Sequence, residues 1–291
     1  MRRALVCQDP APYLSAVASN PRGLAVTRIA PFVPDRFTSA IPHYINGRPP
    51  YSERLVEKLA RETRIGVRSR VLDLGCGPGS LTLLLARHSS AVIGIDTDPA
   101  MIEAARSAAD AARVSIDWRV GSSFDLDTSL APFDLVTIAR AFHWMDREAT
   151  LQALDKLIAP GGAIALVNTE VYDLGGFRWH TAFEEARRGH GRFDDFYHWR
   201  KSNAFETHQS VLLRSPFSDV ERISVFDVRT PDIDEIVARA LSFSANSPSA
   251  LGVAGRAAYE AEIRERMLAL CPDGLFPEIV ESVAIIARRP K

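Results

Sequence analysis

Apolar residues in this chain gather in short blocks separated by stretches of helical period. Val71–Leu74, Ala91–Ile95 and Phe133–Ala139 are runs of four to seven residues, and Ala163–Asn168 is another; each has the length of a short buried strand. Ile116–Val120 adds a weaker strand between them. After the first run, Leu81, Leu83, Leu84, Leu85 and Ala86 read as a helix opening at Ser80. After the second, Asp98 and Pro99 stand as N-cap and first helical residue of a helix over Ala100–Ala112. A stripe of Leu55, Val56, Leu59 and Ala60 behind Ser52 predicts a helix before the first strand. Leu151–Ile158 predicts another, followed by a turn at Pro160-Gly161-Gly162. Toward the C-terminus the pattern gives helices over Pro231–Ser242, capped by Thr230, and Pro248–Leu270, capped by Ser247. A last strand covers Ile279–Ala287. Strands alternating with helices place the chain in the α/β class.

Two segments break the alternation. Residues 1–43 form a proline-rich extension without sustained periodicity, in which Gly23–Ile29 has the look of a short edge strand. Residues 169–216 are inserted between the fifth and sixth strands and are dense in aromatic rings. The bulk numbers narrow the class. Of 291 residues, 46% are hydrophobic and 24% charged, and the formal net charge of −1 offers no surplus for nucleic acid or an acidic membrane. Cys7, Cys76 and Cys271 are too far apart for a metal site and too few for a disulfide frame, which suits reduced thiols in a cytoplasm. The apolar run after Arg2-Arg3 is too short for a secretory signal, and no run is long enough to span a bilayer.

The first strand leads into Gly75-Cys-Gly-Pro-Gly79 and then a helix. Such a turn brings backbone N–H groups and a helix N-terminus close to a ligand. A dinucleotide fingerprint would place a sixth-position glycine where Ser80 stands, and Pro78 removes an N–H that a pyrophosphate would use. Asp96 ends the second strand about 20 residues after Gly75, the spacing of a carboxylate that accepts from ribose hydroxyls.

Gly-x-Gly-x-Gly behind Asp73, repeated strand–loop–helix units and Phe142-His143-Trp144 after the fourth strand together resemble the class I S-adenosylmethionine-dependent methyltransferases. The resemblance covers residues 44–170 and continues more loosely through Phe217–Glu221 and Ala287–Pro290; Phe-His-Trp points to a bacterial small-molecule subgroup. It implies a Rossmann-like seven-stranded sheet of order 3-2-1-4-5-7-6, strand seven antiparallel, with helices on both faces and a helical cap. It also implies S-adenosyl-L-methionine as cofactor. Gly75, Gly77 and Gly79 would meet its methionyl part, Asp73 its ammonium and Asp96 its ribose, with Thr97 and Met101 beside the nucleoside. Ser122, Ser123 and Phe124 occupy the adenine-edge loop, where relatives often carry an acid instead of Ser122. Tyr44 and Arg48 belong to an N-terminal lid, and Arg140 follows the fourth strand.

The 169–216 insert is expected to close an apolar chamber over the sulfonium, with Trp144, Tyr172, Phe177, Trp179, Phe193, Tyr197 and Trp199 as its walls. Two side chains compete as the base, Glu170 just beyond the fifth strand and His143. Burial beside aromatics would raise the carboxyl of Glu170 into a useful range. One carboxylate among rings suits C-methylation of an alkene, whose carbocation needs aromatic faces and a final proton acceptor. A prenyl diphosphate would recruit Arg178, Arg187, Arg188, Arg192, Arg200 and Lys201, with magnesium on Asp194 or Asp195. O-methylation of a small molecule is the alternative within the class, and a non-methylating cyclase or regulatory module the alternative outside it. Arg48-Pro-Pro-Tyr51 resembles the Pro-Pro-Tyr motif of amino-group methyltransferases of nucleic acid, but it precedes strand one instead of following strand four. The expected partner is a small molecule, with no nucleic acid and no membrane.

Overall fold

The computed structural model describes residues 37–291. The strand expected at Gly23–Ile29, Cys7 and most of the 1–43 extension lie outside them. A 3-10 turn at Thr38–Ala40 leads into α1 (Ile41–Gly47), followed by α2 (Glu53–Thr63). Then come β1 (Arg70–Leu74), α3 (Ser80–Leu85), β2 (Ala91–Asp96), α4 (Pro99–Ala112), β3 (Asp117–Val120) and β4 (Phe133–Ala139). The chain continues through α5 (Arg147–Asp155), β5 (Ile158–Asp173), α6 (Trp179–His190), α7 (Asp195–Arg200) and α8 (His208–Leu213). It ends with β6 (Asp219–Arg229), α9 (Ile233–Leu241), α10 (Pro248–Leu270) and β7 (Glu278–Arg288).

The strands form one sheet of order β3-β2-β1-β4-β5-β7-β6, as the resemblance implies. β1 runs parallel to β2 and β4, whereas β7 is antiparallel to both β5 and β6. Alternate residues of each strand enter different cores, because side chains of a strand point to opposite faces. Leu72, Leu74, Val136 and Ile138 pack with Leu151 and Leu154 of α5 and Leu212 of α8. Val71, Leu135 and Ile286 pack on the other face with Leu55 and Leu59 of α2 and Leu81 and Leu85 of α3. Asp98 caps α4 by accepting from the Ala100 N–H at 2.9 Å, and Ser247 caps α10 by accepting from Ala250. Ser52 holds the N-cap position of α2 without a side-chain capping bond.

Several boundaries differ from expectation. α5 starts at Arg147 because Asp146 accepts from the Ala149 N–H; it ends at Asp155, short of Ile158. α9 is capped by Asp232, which accepts from Glu235, and not by Thr230. Pro160-Gly161-Gly162 is no turn between elements. It is an irregularity inside β5, where the register against β4 shifts. β5 then runs on to Asp173, because β7 pairs with it residue by residue through Asp173↔Glu278. Residues 169–173 are therefore strand, and the insert begins after them.

The cap is built from two crossovers instead of one. Trp179 and Phe183 of α6 are buried against Ile236 and Leu241 of α9 and against Tyr259, Ile263 and Met267 of α10. Burying side chains of this size contributes about 1.5–3 kcal/mol each. α1 is tied to this cap through one guanidinium. Arg239 Nε donates to the Gly47 carbonyl at 3.1 Å, while its other nitrogens donate to the fully buried Glu278 carboxylate of β7 at 2.6 and 2.9 Å. A Cβ on Gly47 would lie 2.1 Å from the Arg239 backbone nitrogen, so only glycine permits the approach.

Candidate functional site

The glycine loop connects β1 to α3, and Gly75, Gly77 and Gly79 all have positive φ (73°, 55° and 81°), a conformation that side chains disfavour. A Cβ on Gly77 would meet nothing within 4 Å, so the loop presents an open backbone surface there. Asp96, at the end of β2, steers the loop: its Oδ2 accepts from the Gly77 N–H at 2.8 Å and its Oδ1 from the Asp98 N–H at 3.0 Å. A carboxylate has about four acceptor sites, so these bonds leave Asp96 capacity to accept from a ligand hydroxyl. Burial pushes the Asp96 carboxyl up from its ordinary value, opposed by the backbone N–H groups it binds.

Asp73 occupies a different place from the one expected. It is fully buried, and both its oxygens are taken: Thr82 donates to one at 2.6 Å and Thr137 to the other at 2.7 Å. Burial raises its carboxyl to about 6. The residue fastens β1 to β4 and α3 and, fully buried, exposes no surface to a ligand ammonium. Beneath the loop, Trp118 of β3 fills the gap that Gly94 and Gly79 leave; a Cβ on Gly94 would fall 2.3 Å from the indole. Met101 is buried in the first turns of α4, whereas Thr97 is exposed. At the next strand end, Ser122 donates to Asp125 at 2.6 Å and accepts from the Phe124 N–H; Ser123 is buried and Phe124 exposed. Asp125 thus brings an acid to the loop where Ser122 lacks one.

Beyond β4 lies a seam of arginines and rings. Arg140, itself at positive φ (54°), donates to the Pro49 carbonyl at 2.7 Å and to Thr169 Oγ1 at 2.6 Å, and stacks over Tyr51 at 4.5 Å. Arg48 lies 3.9 Å over the Phe243 ring and 5.4 Å from Tyr44. Burial lowers its guanidinium to about 10. Tyr44, Arg48, Tyr51, Arg140 and Ser80 border a cavity of about 380 Å³. A second cavity of about 260 Å³ lies under the cap, lined by Trp144, Phe193, Tyr197 and Arg200 among others.

The geometry separates the two base candidates. Neighbouring residues of a strand face opposite ways. Thr169 turns toward Arg140, so Glu170 turns away from it. Glu170 is exposed, and its carboxylate accepts from the Tyr172 hydroxyl at 2.8 Å. The expected burial among aromatic rings is absent, because β5 extends through this position. His143 is half-buried beside Trp144, with ring centres 4.9 Å apart. Burial holds its imidazole well below the ordinary value, reinforced by Arg200, His208, Arg48 and Lys201.

The cap aromatics divide likewise. Trp144, Phe193 and Tyr197 line the smaller cavity, and Trp144 stacks on Phe196 at 5.7 Å. Trp179 is no wall: it is fully buried in the cap core, its indole N–H donating to the Pro277 carbonyl at 3.0 Å. Tyr172 binds Glu170 and Glu281, Phe177 is about half exposed, and Trp199 packs on Phe196 and Phe205. Magnesium does not fit the donors expected for it. Asp194 caps α7 by accepting from the Tyr197 N–H at 2.7 Å, and among the described residues no three His, Cys, Asp or Glu side chains converge. Nor does any described helix have the length and apolarity to cross a membrane.

Residues 71–162 match the Methyltransferase domain family. An uncharacterised methyltransferase of Schizosaccharomyces pombe is 30% identical over 132 residues, 45% of this chain and 51% of that one. A ubiquinone biosynthesis O-methyltransferase of Nitrobacter winogradskyi is 29% identical over 178 residues, 57% and 68% of the two chains. Among solved structures, an S-adenosylmethionine-dependent methyltransferase from Thiobacillus denitrificans, in complex with S-adenosyl-L-homocysteine, aligns with a TM-score of 0.50 at 19% identity, over 88% of this chain and 99% of that one. A candidate type II methyltransferase from Anaeromyxobacter dehalogenans aligns at 0.60 and 21%, over 83% and 97%. Over residues 71–162 the chain is similar to the methyltransferases, and its sheet has the fold of these solved structures. The chain spans about half the length of curated relatives such as the S. pombe protein. The methyltransferase match ends at residue 162, so the cap, α6 to α10, lies beyond it.

Proposed function

We propose that this methyltransferase moves a methyl group from S-adenosylmethionine to an oxygen of a small molecule held under the cap. The observation that carries the reading is the cradle made by the open glycine loop and Asp96, in a fold that also holds a cavity bordered by Arg48 and Arg140 and an aromatic one walled by Trp144, Phe193 and Tyr197. Asp96 would bind the ribose, the Gly77 backbone would lie along the methionyl part, and Arg140 or Arg48 would face its carboxylate. The cofactor, when bound, supplies a methyl group already activated on a sulfonium.

The protein's share is to align the acceptor and exclude water, which can account for several kcal/mol of barrier. Buried Phe196 and the Trp144 ring stacked on it give the acceptor side an apolar wall. His143 is neutral at physiological pH and can accept a proton, but its depressed imidazole makes it a weak base. Strong proton abstraction is therefore not the basis of the reaction, and a carbon acceptor relying on Glu170 loses its support. The O-methyltransferase among the relatives agrees with an oxygen acceptor.

Incubating the protein with cofactor and a library of small oxygen acceptors tests this. Release of S-adenosylhomocysteine together with an O-methylated product supports transfer to oxygen. Cofactor binding without release for any acceptor favours a non-methylating module, and a C-methylated product overturns the oxygen assignment.

A further inference from the structure

Buried guanidinium groups are normally balanced by carboxylates, yet along this seam aromatic rings take that place. Arg48 is stacked between Tyr44 and Phe243, Arg140 stands over Tyr51, and Arg200 lies 5.8 Å from both the Trp144 and Tyr197 rings. No carboxylate of the described residues forms an ion pair with any of the three, and the Nε atom of each is buried without a hydrogen-bond partner. Burying charge or a polar group in that condition is costly unless a ligand completes it. Arg140 and Arg48 sit at the cofactor end, where a methionyl carboxylate would answer them. Arg200 does not border that cavity. It lines the cap cavity with Trp144, Phe193 and Tyr197, and the exposed Arg192 reaches the same cavity from the loop before α7. One acid borders this cavity, Asp194; it is engaged as the N-cap of α7, and it acts on the Arg200 guanidinium less than burial, Tyr197 or Arg187 does, without forming an ion pair with it. His143 beside Trp144 sits in the same surroundings: after burial, the groups that act most on its imidazole ring are Arg200, His208, Arg48 and Lys201.

We infer that the acceptor carries a carboxylate, which docks on Arg200 in the cavity beside Trp144 while its apolar part lies against Phe193 and Tyr197. The inference rests on the reading of the chain as a small-molecule methyltransferase and narrows its substrates to organic acids. An anion there gains charge-assisted hydrogen bonds from a fork held in place by two rings. A neutral isostere would leave the same donors unpaired, which disfavours it strongly.

Calorimetry in two stages tests it. S-adenosylhomocysteine is titrated first; lack of binding would defeat the methyltransferase reading itself. The loaded protein is then titrated with a set of aryl and alkyl carboxylic acids and with the primary amide of each. Acids that bind should do so at least about tenfold tighter than their amides, a preference falling as salt is raised. Arg200→Met should abolish that preference and Arg200→Lys retain part of it, both with unchanged affinity for S-adenosylhomocysteine. Arg192→Gln, at the exposed side, supplies a second variant should Arg200→Met not fold, and should weaken acid binding by a smaller factor. Binding of amides as tightly as acids, failure of every acid at millimolar concentration, or acid preference persisting in Arg200→Met would each overturn the inference while leaving cofactor binding intact.

Discussion

Replacing Gly94 with alanine would test how the cofactor loop is held. Gly94 lies in the middle of β2, and a methyl group there would fall 2.3 and 2.4 Å from Cζ3 and Cε3 of Trp118, and 3.2 Å from Cys76 Sγ. Carbon atoms pack at about 3.5–4.0 Å, so the indole would have to shift by more than about 1 Å. Its opposite edge, Cη2, lies so close over Gly79 that no side chain would fit between them, so a shift that way presses on the loop backbone. Overpacking of a rigid group costs about 1–3 kcal/mol, which in a domain of this size lowers the melting temperature by about 2–4 °C per kcal/mol. The strain passes through Trp118 into the loop, so affinity for S-adenosylhomocysteine should fall along with stability. Scanning calorimetry and titration calorimetry read the two effects. Combining Gly94→Ala with Trp118→Leu should recover part of both, since the two changes share one space. A Gly94→Ala protein that melts and binds like the parent, or a double variant whose losses simply add, would refute the wedge.

Asp96→Ala should weaken S-adenosylhomocysteine binding by more than about tenfold, since a hydrogen bond to a charged group contributes about 1.5–3 kcal/mol and the Gly77 tether is lost too; titration calorimetry checks it. Asp73 gives a pH signature. Its carboxyl is raised from 3.8 to about 6, so its contribution to stability is complete below about pH 4 and is lost as pH rises through 6, at most about 3 kcal/mol. Melting curves of Asp73→Asn should lack that slope between pH 4 and 6, and equal slopes in variant and parent would reject the assignment. Glu170→Gln should leave turnover within about threefold of the parent, because an exposed carboxylate facing away from Arg140 abstracts no proton; a base would cost a factor of about 10²–10⁴ when lost.

The parts that local pattern specifies are legible in the sequence. The β2 run from Ala91 to Asp96, the β4 run from Phe133 to Ala139 and the Asp98 cap of α4 depend on neighbours within a few residues, and they stand where the pattern put them. The sheet order followed from the resemblance, not from periodicity. What the pattern could not carry were contacts across long separations. Trp179 looked like a chamber wall because nothing near it in sequence shows that Tyr259 and Ile263, some eighty residues later, bury it. Glu170 looked like a base because the end of β5 was set at its apolar run; its true end is set by β7, which arrives more than a hundred residues later and fixes the face on which each residue stands. Asp73 was recognisable as an important acid, but its saturation depends on Thr137, 64 residues away. Asp125 is the exception: a Ser-x-x-Asp turn was visible, and its acid would have answered the position at which Ser122 departs from relatives.

The single guanidinium shared by Gly47, α9 and β7 has a consequence for anyone who recombines this protein with its relatives. A chimera whose imported first helix lacks glycine at position 47 carries a side chain into the backbone of residue 239, while one whose late crossover lacks arginine at 239 leaves Glu278 with only the longer Arg229 contact. The first helix, the late crossover and the last strand must be exchanged as one cassette, even though some 190 residues separate the first two in the chain. Breakpoints at the edges of the 71–162 segment would separate the first helix from the other two and cut through that cassette.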